Sequence, residues 1–95
     1  MTHAMNITIQ VPSPLQDCTD GAAQFQLPAA SVRAALLEIE RLYPSLYRSI
    51  CDETGRVRRH INLFVNTSHM GDREGLDTPL TPGDILIIFP AVSGG

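Results

Sequence analysis

The sequence predicts an α+β domain in which one amphipathic helix packs on one face of a mixed β-sheet. Three stretches predict it: a polar/apolar alternation near the start, a helical spacing of apolar residues in the middle, and an aliphatic run near the end.

Asn6 to Val11 reads Asn-Ile-Thr-Ile-Gln-Val, a period-two pattern that puts Ile7, Ile9 and Val11 on the buried face of a strand. Pro12 and Pro14 stop it, and Asp17 to Gly21 supplies turn residues. Ala23 to Leu27 alternates again and returns as a hairpin partner, across a loop longer than most hairpin loops. Ser31 is placed to cap a helix by accepting from a free amide of its first turn. Val32, Ala35, Leu36, Ile39, Leu42 and Tyr43 then recur at helical spacing, with Arg33, Glu40 and Arg41 opposite. Pro44 ends that helix, and Leu46, Tyr47 and Ile50 make one more short helical turn before Asp52-Glu53-Thr54-Gly55 breaks it. His60 to Asn66 is the next strand, with Ile61, Leu63 and Val65 on one face and Asn62, Phe64 and Asn66 on the other. A polar loop leads to Thr81-Pro82-Gly83-Asp84, a tight turn with proline at its second position. The last strand, Ile85 to Phe89, is apolar on both parities, as a central strand is.

Composition narrows the function. The 95 residues are read as a single domain, 1–95, because so short a chain supports only one core. A net charge of −3 is the wrong sign for a nucleic-acid binder, which needs a surplus of cations. All seven cations are arginine, so no side-chain amine is present for a Schiff base or for conjugation. Cys18 and Cys51 lie far apart with no CxxC or Cys/His run, and His3, His60 and His69 have no ligand spacing; no metal site is expected. The start lacks a basic segment followed by an apolar run, and the longest aliphatic stretch is too short to cross a bilayer. A cytoplasmic, reduced, membrane-free protein is expected, with both cysteines as thiols. No Ser/His/Asp or Cys/His constellation occurs, which suits a protein that enzymes act upon rather than an enzyme.

Phe64-Val65-Asn66, the loop Gly75-Leu76-Asp77-Thr78-Pro79-Leu80, the turn Pro82-Gly83-Asp84 and the ending Phe89-Pro90-Ala91-Val92-Ser93-Gly94-Gly95 resemble the MoaD/ThiS family of ubiquitin-like sulfur carriers, CysO-like carriers included. The resemblance runs from Met5 to the terminus. It implies a ubiquitin-like β-grasp fold, a mixed sheet of four to five strands with one main helix on one face and a flexible tail over residues 90–95. It also implies a chemistry. An E1-like adenylating enzyme of the MoeB/ThiF type uses Mg-ATP to activate the carboxylate of Gly95, with Gly94 its required neighbour. A persulfide-bearing donor, such as a rhodanese or desulfurase, then leaves a thiocarboxylate there. The carrier hands that sulfur to an acceptor enzyme such as a cysteine synthase or the large subunit of molybdopterin synthase, and itself binds no cofactor. Its length, Phe64-Val65-Asn66 and the ending look closer to stand-alone carriers for amino-acid sulfuration than to the thiamine carrier. A molybdopterin synthase small subunit is the runner-up.

The physical logic stands beside the resemblance. A carboxylate is a poor electrophile until adenylation gives it a leaving group, and the thiocarboxylate formed is the softer, stronger nucleophile. Two successive glycines make the thinnest backbone for threading into a narrow site, while Pro90 starts the tail extended. If Leu86 and Ile88 face the helix, then Ile87 and Phe89 join Phe64 in an exposed apolar patch leading into Pro90, Ala91, Val92 and Ser93, a surface for docking a partner. Arg56, Arg58, Arg59 and His60 read as a solvated loop, with an acidic contact on a partner as the alternative. Two other functional classes fit the same fold: a protein modifier joined through Gly95 to lysines of other proteins, and a simple β-grasp binding module indifferent to its tail.

Overall fold

The protein is described by a computed structural model covering residues 6–90. Seven elements follow in order: β1 (Asn6–Gln10), β2 (Gln24–Pro28), α1 (Val32–Leu42), α2 (Pro44–Ile50), β3 (Ile61–Val65), β4 (Ser68–His69) and β5 (Ile85–Pro90). They build one five-stranded sheet ordered β2-β1-β5-β3-β4. β1 and β5 are parallel, and every other pair is antiparallel. This mixed sheet with helices on one side is the β-grasp arrangement.

The strand parities follow the pattern of the sequence. Ile7 and Ile9 of β1, Ile61, Leu63 and Val65 of β3, and Leu86 and Ile88 of β5 are all buried. They meet Val32, Ala35, Leu36 and Ile39 of α1 and Leu46 and Ile50 of α2 in one core. Burying each such aliphatic side chain is worth about 1.5–3 kcal/mol, so this face holds the fold together. Phe25 of β2 closes one end against Tyr43, with ring centroids 4.8 Å apart. No helix among the described residues is long and apolar enough to cross a membrane.

α1 starts as expected, with the Ser31 hydroxyl accepting from the Ala34 amide at 3.1 Å. The first amide of the helix, that of Val32, donates to the Thr78 carbonyl at 3.0 Å, and the Leu80 amide donates back to the Ala30 carbonyl at 2.9 Å. The Gly75–Leu80 loop is thereby stitched to the head of the helix. Thr78 is fully buried there; its hydroxyl donates to the Gly75 carbonyl at 2.7 Å and accepts from the Glu74 amide at 3.1 Å.

Three details go beyond the sequence reading. Ser13–Thr19, expected as a stop and a turn, coils into a 3-10 helix with proline in its first turn. It ends at Asp20 and Gly21, both at positive φ, 56° and 88°. Pro44 does end α1, yet it also opens α2 as its first residue. Proline cannot donate into a helix it interrupts, but it suits a first position whose amide has no partner. Finally, the polar loop after β3 holds the two-residue edge strand β4, which pairs Val65 with Ser68 and Phe64 with His69.

Candidate functional site

β5 is the central strand, and its last residue, Pro90, pairs in register with Ile61. The face of the sheet turned away from the helices has an apolar centre. Ile87 lies beside Phe64 on β3, and Phe89 lies beside Asn62. The rings of Phe64 and Phe89 meet edge to face, centroids 6.1 Å apart at 87°. Phe89 is 54% exposed, while Phe64 and Ile87 are half-buried. Sequence parity therefore places the three expected patch residues correctly: together, on the open face, at the strand that leads out through Pro90. Ala91, Val92, Ser93, Gly94 and Gly95 lie outside the described residues.

Asn62, which shares the Phe64 face of β3 as strand parity expects, belongs to the same surface, and so does His69 of β4, which parity alone does not place there. The His69 ring stacks edge-on against Phe64 at 5.2 Å between centroids. Its Nδ1 accepts from the Gly71 amide at 2.8 Å, which leaves the proton on Nε2 to donate to Asn62 Oδ1 at 3.0 Å. The imidazole is thus held from both sides and walls in one flank of Phe64. Its only sequence signal was proximity to a tight turn at Asn66-Thr67, too weak to reveal a two-residue strand.

The register that creates this face is locked by polar groups at the other end of the strands. Asn66 sits at φ 56°, a left-handed conformation that asparagine tolerates. Its amide oxygen accepts from the Ile85 amide at 3.0 Å, its backbone amide donates to the Ile85 carbonyl at 2.8 Å, and its Nδ2 donates to Asp84 Oδ1 at 3.2 Å. The other carboxylate oxygen of Asp84 accepts from the Thr81 amide at 2.9 Å, closing the turn in which Gly83 adopts φ 91°. That backbone amide, with help from Asn66, holds the Asp84 carboxyl below its ordinary pKa. A slip of one residue here would send Ile87 and Phe89 to the core side and Leu86 and Ile88 to solvent.

Away from this face the titratable groups are structural. Cys51 is buried and free, and burial pushes its thiol pKa up. Tyr47 beside it is raised by the same cause. Cys18 is half-buried and free, with Ser49 Oγ at 3.8 Å. Arg56, Arg59 and His60 are exposed, as is Arg58, whose Nε donates to the Arg48 carbonyl at 2.8 Å. Among the described residues no group of three His, Cys, Asp or Glu side chains is placed to hold a metal ion.

Comparison with known proteins covers nearly the whole chain. The ThiS family model matches residues 9–95. The sulfur carrier protein CysO of Mycobacterium tuberculosis is 29% identical over 93 residues, covering 96% of this chain and 100% of that relative. Small archaeal modifier protein 3 of Haloferax volcanii is 32% identical over 66 residues, covering 70% of this chain and 71% of that relative. The crystal structure of an Amycolatopsis orientalis BexX/CysO complex contains a chain that superposes with a TM-score of 0.85 at 28% identity, covering 94% of this chain and 99% of that one.

Proposed function

The chain belongs to the ThiS family of ubiquitin-like sulfur carriers, and from that premise we propose that it works as a sulfur carrier through the carboxylate of Gly95. The observation that carries this reading is the extent of the family match, which continues past the sheet to the terminal Gly94-Gly95. The open face of Phe64, Ile87 and Phe89 supports it, because an enzyme that works on the tail needs a surface beside it to grip.

In this reading the Gly95 carboxylate attacks the α-phosphorus of Mg-ATP on an E1-like enzyme, expelling pyrophosphate and forming an acyl adenylate. A persulfide sulfur displaces AMP, and a thiol then cleaves the acyl disulfide, leaving a thiocarboxylate and a protein disulfide. The chain is the co-substrate throughout; ATP and metal belong to the partner. The thiocarboxylate donates its sulfur to an acceptor enzyme in the biosynthesis of an amino acid or cofactor. The crystal structure of an Amycolatopsis orientalis BexX/CysO complex, one chain of which resembles this one, supports a reading in which the carrier works with a protein partner.

The test is intact mass spectrometry after incubation with the E1-like enzyme of the same organism, Mg-ATP and a sulfur donor. The expected result is a gain equal to one oxygen exchanged for sulfur, localised to the C-terminal peptide. An unchanged mass, with an enzyme active on another carrier, overturns the reading.

The likeness to small archaeal modifier protein 3 supports a second reading, in which Gly95 is joined to lysines of other proteins. An isopeptide-linked adduct carrying the Gly94-Gly95 remnant in cell extracts is its distinguishing product.

A further inference from the structure

The charges of this chain are unevenly placed around the point where the tail begins. Arg48 sits in the last turn of α2, and Arg56, Arg58 and Arg59 lie between α2 and β3, with His60 next in sequence. All are exposed, and among the described residues none of these arginines makes an ion pair. Arg58 and His60 line a groove of about 410 Å³ whose remaining walls are Pro14, Leu15, Ser49, Ile61 and Pro90. Among the described residues, no acidic side chain lines it. Pro90, the last described residue of β5, forms part of the wall. Arg58 also lines the neighbouring groove, with Arg56 and Arg59. The carboxylate there, Asp52, is engaged by the Thr54 and Arg56 amides and the Thr54 hydroxyl.

A chain of net charge −3 thus presents, on the opposite side of β5 from the Phe64–Phe89 face, an apolar-floored groove with one guanidinium, Arg58, which on its other side borders Glu40, Asp52 and Glu53. We infer that this groove is the second half of the docking surface and receives an acidic, aliphatic segment from the rim of the enzyme that takes the tail. The inference rests on the reading given under Proposed function. An enclosing active site must surround the chain at Pro90, so its rim meets both sides of β5. One side offers aromatic rings, and the other offers the Arg58 guanidinium beside Pro14, Leu15 and Ile61, with Arg56 and Arg59 in the neighbouring groove. Exposed charges of this kind steer encounter and set orientation, and their effect fades with salt.

The experiment measures KM and kcat for thiocarboxylate formation by the E1-like enzyme of the same organism across a range of ionic strength. The carriers are wild type, Arg58→Glu/Arg59→Glu, and a charge-matched control, Arg33→Glu/Arg41→Glu, at the far helix. Since Arg58 also ties its loop to the Arg48 carbonyl, Arg56→Glu/Arg59→Glu is the second variant, and thermal melts confirm folding of each. The expected result is a KM raised about tenfold at low salt with kcat held, converging on wild type at high salt, while the control stays near wild type. An unchanged KM overturns the inference, as does an equal rise in the control. A fall in KM overturns it in favour of the chain's own tail as occupant of the groove. If wild type itself is not converted, the carrier reading fails and takes the groove with it.

Discussion

Asn66 and Asp84, eighteen positions apart, are joined by a 3.2 Å hydrogen bond from the Asn66 side-chain amide to the Asp84 carboxylate. One belongs to the turn after β3 and the other to the turn before β5, so their bond sets the offset between the two strands bearing the aromatic patch. Removing it should loosen the register rather than the core. Asn66→Ala loses the side-chain bonds and places alanine at φ 56°, a conformation costing about 1–2 kcal/mol. Thermal unfolding checks this: an unchanged melting temperature would mean that the register is held elsewhere.

The depressed Asp84 carboxyl gives a pH dependence of definite sign. Its pKa is lower in the folded protein than in the unfolded chain, so the unfolded state binds the proton first as pH falls. The stabilisation is present above the unfolded value of about 3.9 and is lost as pH drops through the folded value. Asp52, held low chiefly by the Thr54 hydroxyl, acts in the same direction. Melting temperature should therefore fall on acidification below about pH 4, less steeply in Asp84→Asn than in wild type. Parallel curves would remove Asp84 from the explanation.

Thr78 is buried at the junction of the Gly75–Leu80 loop and α1. Thr78→Val keeps the shape but leaves the Glu74 amide without its acceptor, a cost of about 1–3 kcal/mol. In a domain of this size that is about 4–8 °C in melting temperature for each kcal/mol. A valine variant as stable as wild type would show that the loop is held by its backbone bonds alone.

Phe89 and Leu63 separate docking from folding. Leu63 is fully buried, and Leu63→Ala should cost about 2–5 kcal/mol of stability. Phe89 is 54% exposed, and Phe89→Ala should cost about 1 kcal/mol or less. If the open face docks the activating enzyme, however, it should weaken binding by about 2 kcal/mol, roughly 30-fold. Calorimetric titration of a folded Phe89→Ala carrier reads this directly, and wild-type affinity would relocate the docking surface.

Cys51, buried and with a raised pKa, should resist thiol reagents at neutral pH, because the thiolate is the reactive form. A native protein treated with a chromogenic disulfide should release about one fast equivalent, from Cys18, and a second only on unfolding. Two fast equivalents would mean that the α2 end of the core opens readily.

Much of this architecture could be read without coordinates because its causes are local. The Ile7/Ile9/Val11 alternation, the Ser31 cap and the Ile61/Leu63/Val65 parity each follow from period and burial. The two-sided aliphatic run from Ile85 to Phe89 marked β5 as central before any partner strand was known. What escaped depends on contacts between distant segments. Nothing in Ser68-His69 announces a strand; it becomes one because Phe64 and Val65 lie alongside. The roles of Asn66, Asp84 and Thr78 come from bonds to segments remote in sequence, which composition does not encode. That Phe64, Ile87 and Phe89 share one face with Asn62 is legible because strand parity dictates it, whereas the half-burial of Phe64 and Ile87 and the His69 flank are not.

The central position of β5 has a consequence for how the molecule is born. Without residues 85–90 the sheet falls into two separate pairs, β2 with β1 and β3 with β4, and isolated two-stranded ribbons are marginal in water. The strand that unites them is the last of the five to be synthesised, and its pairing with β1 joins residues far apart in sequence, a slow, non-local closure. The residues beyond Pro90 are thus attached to the one segment whose insertion completes the fold. An enzyme that recognises the sheet face and the tail together would engage finished molecules and pass over nascent or misfolded ones.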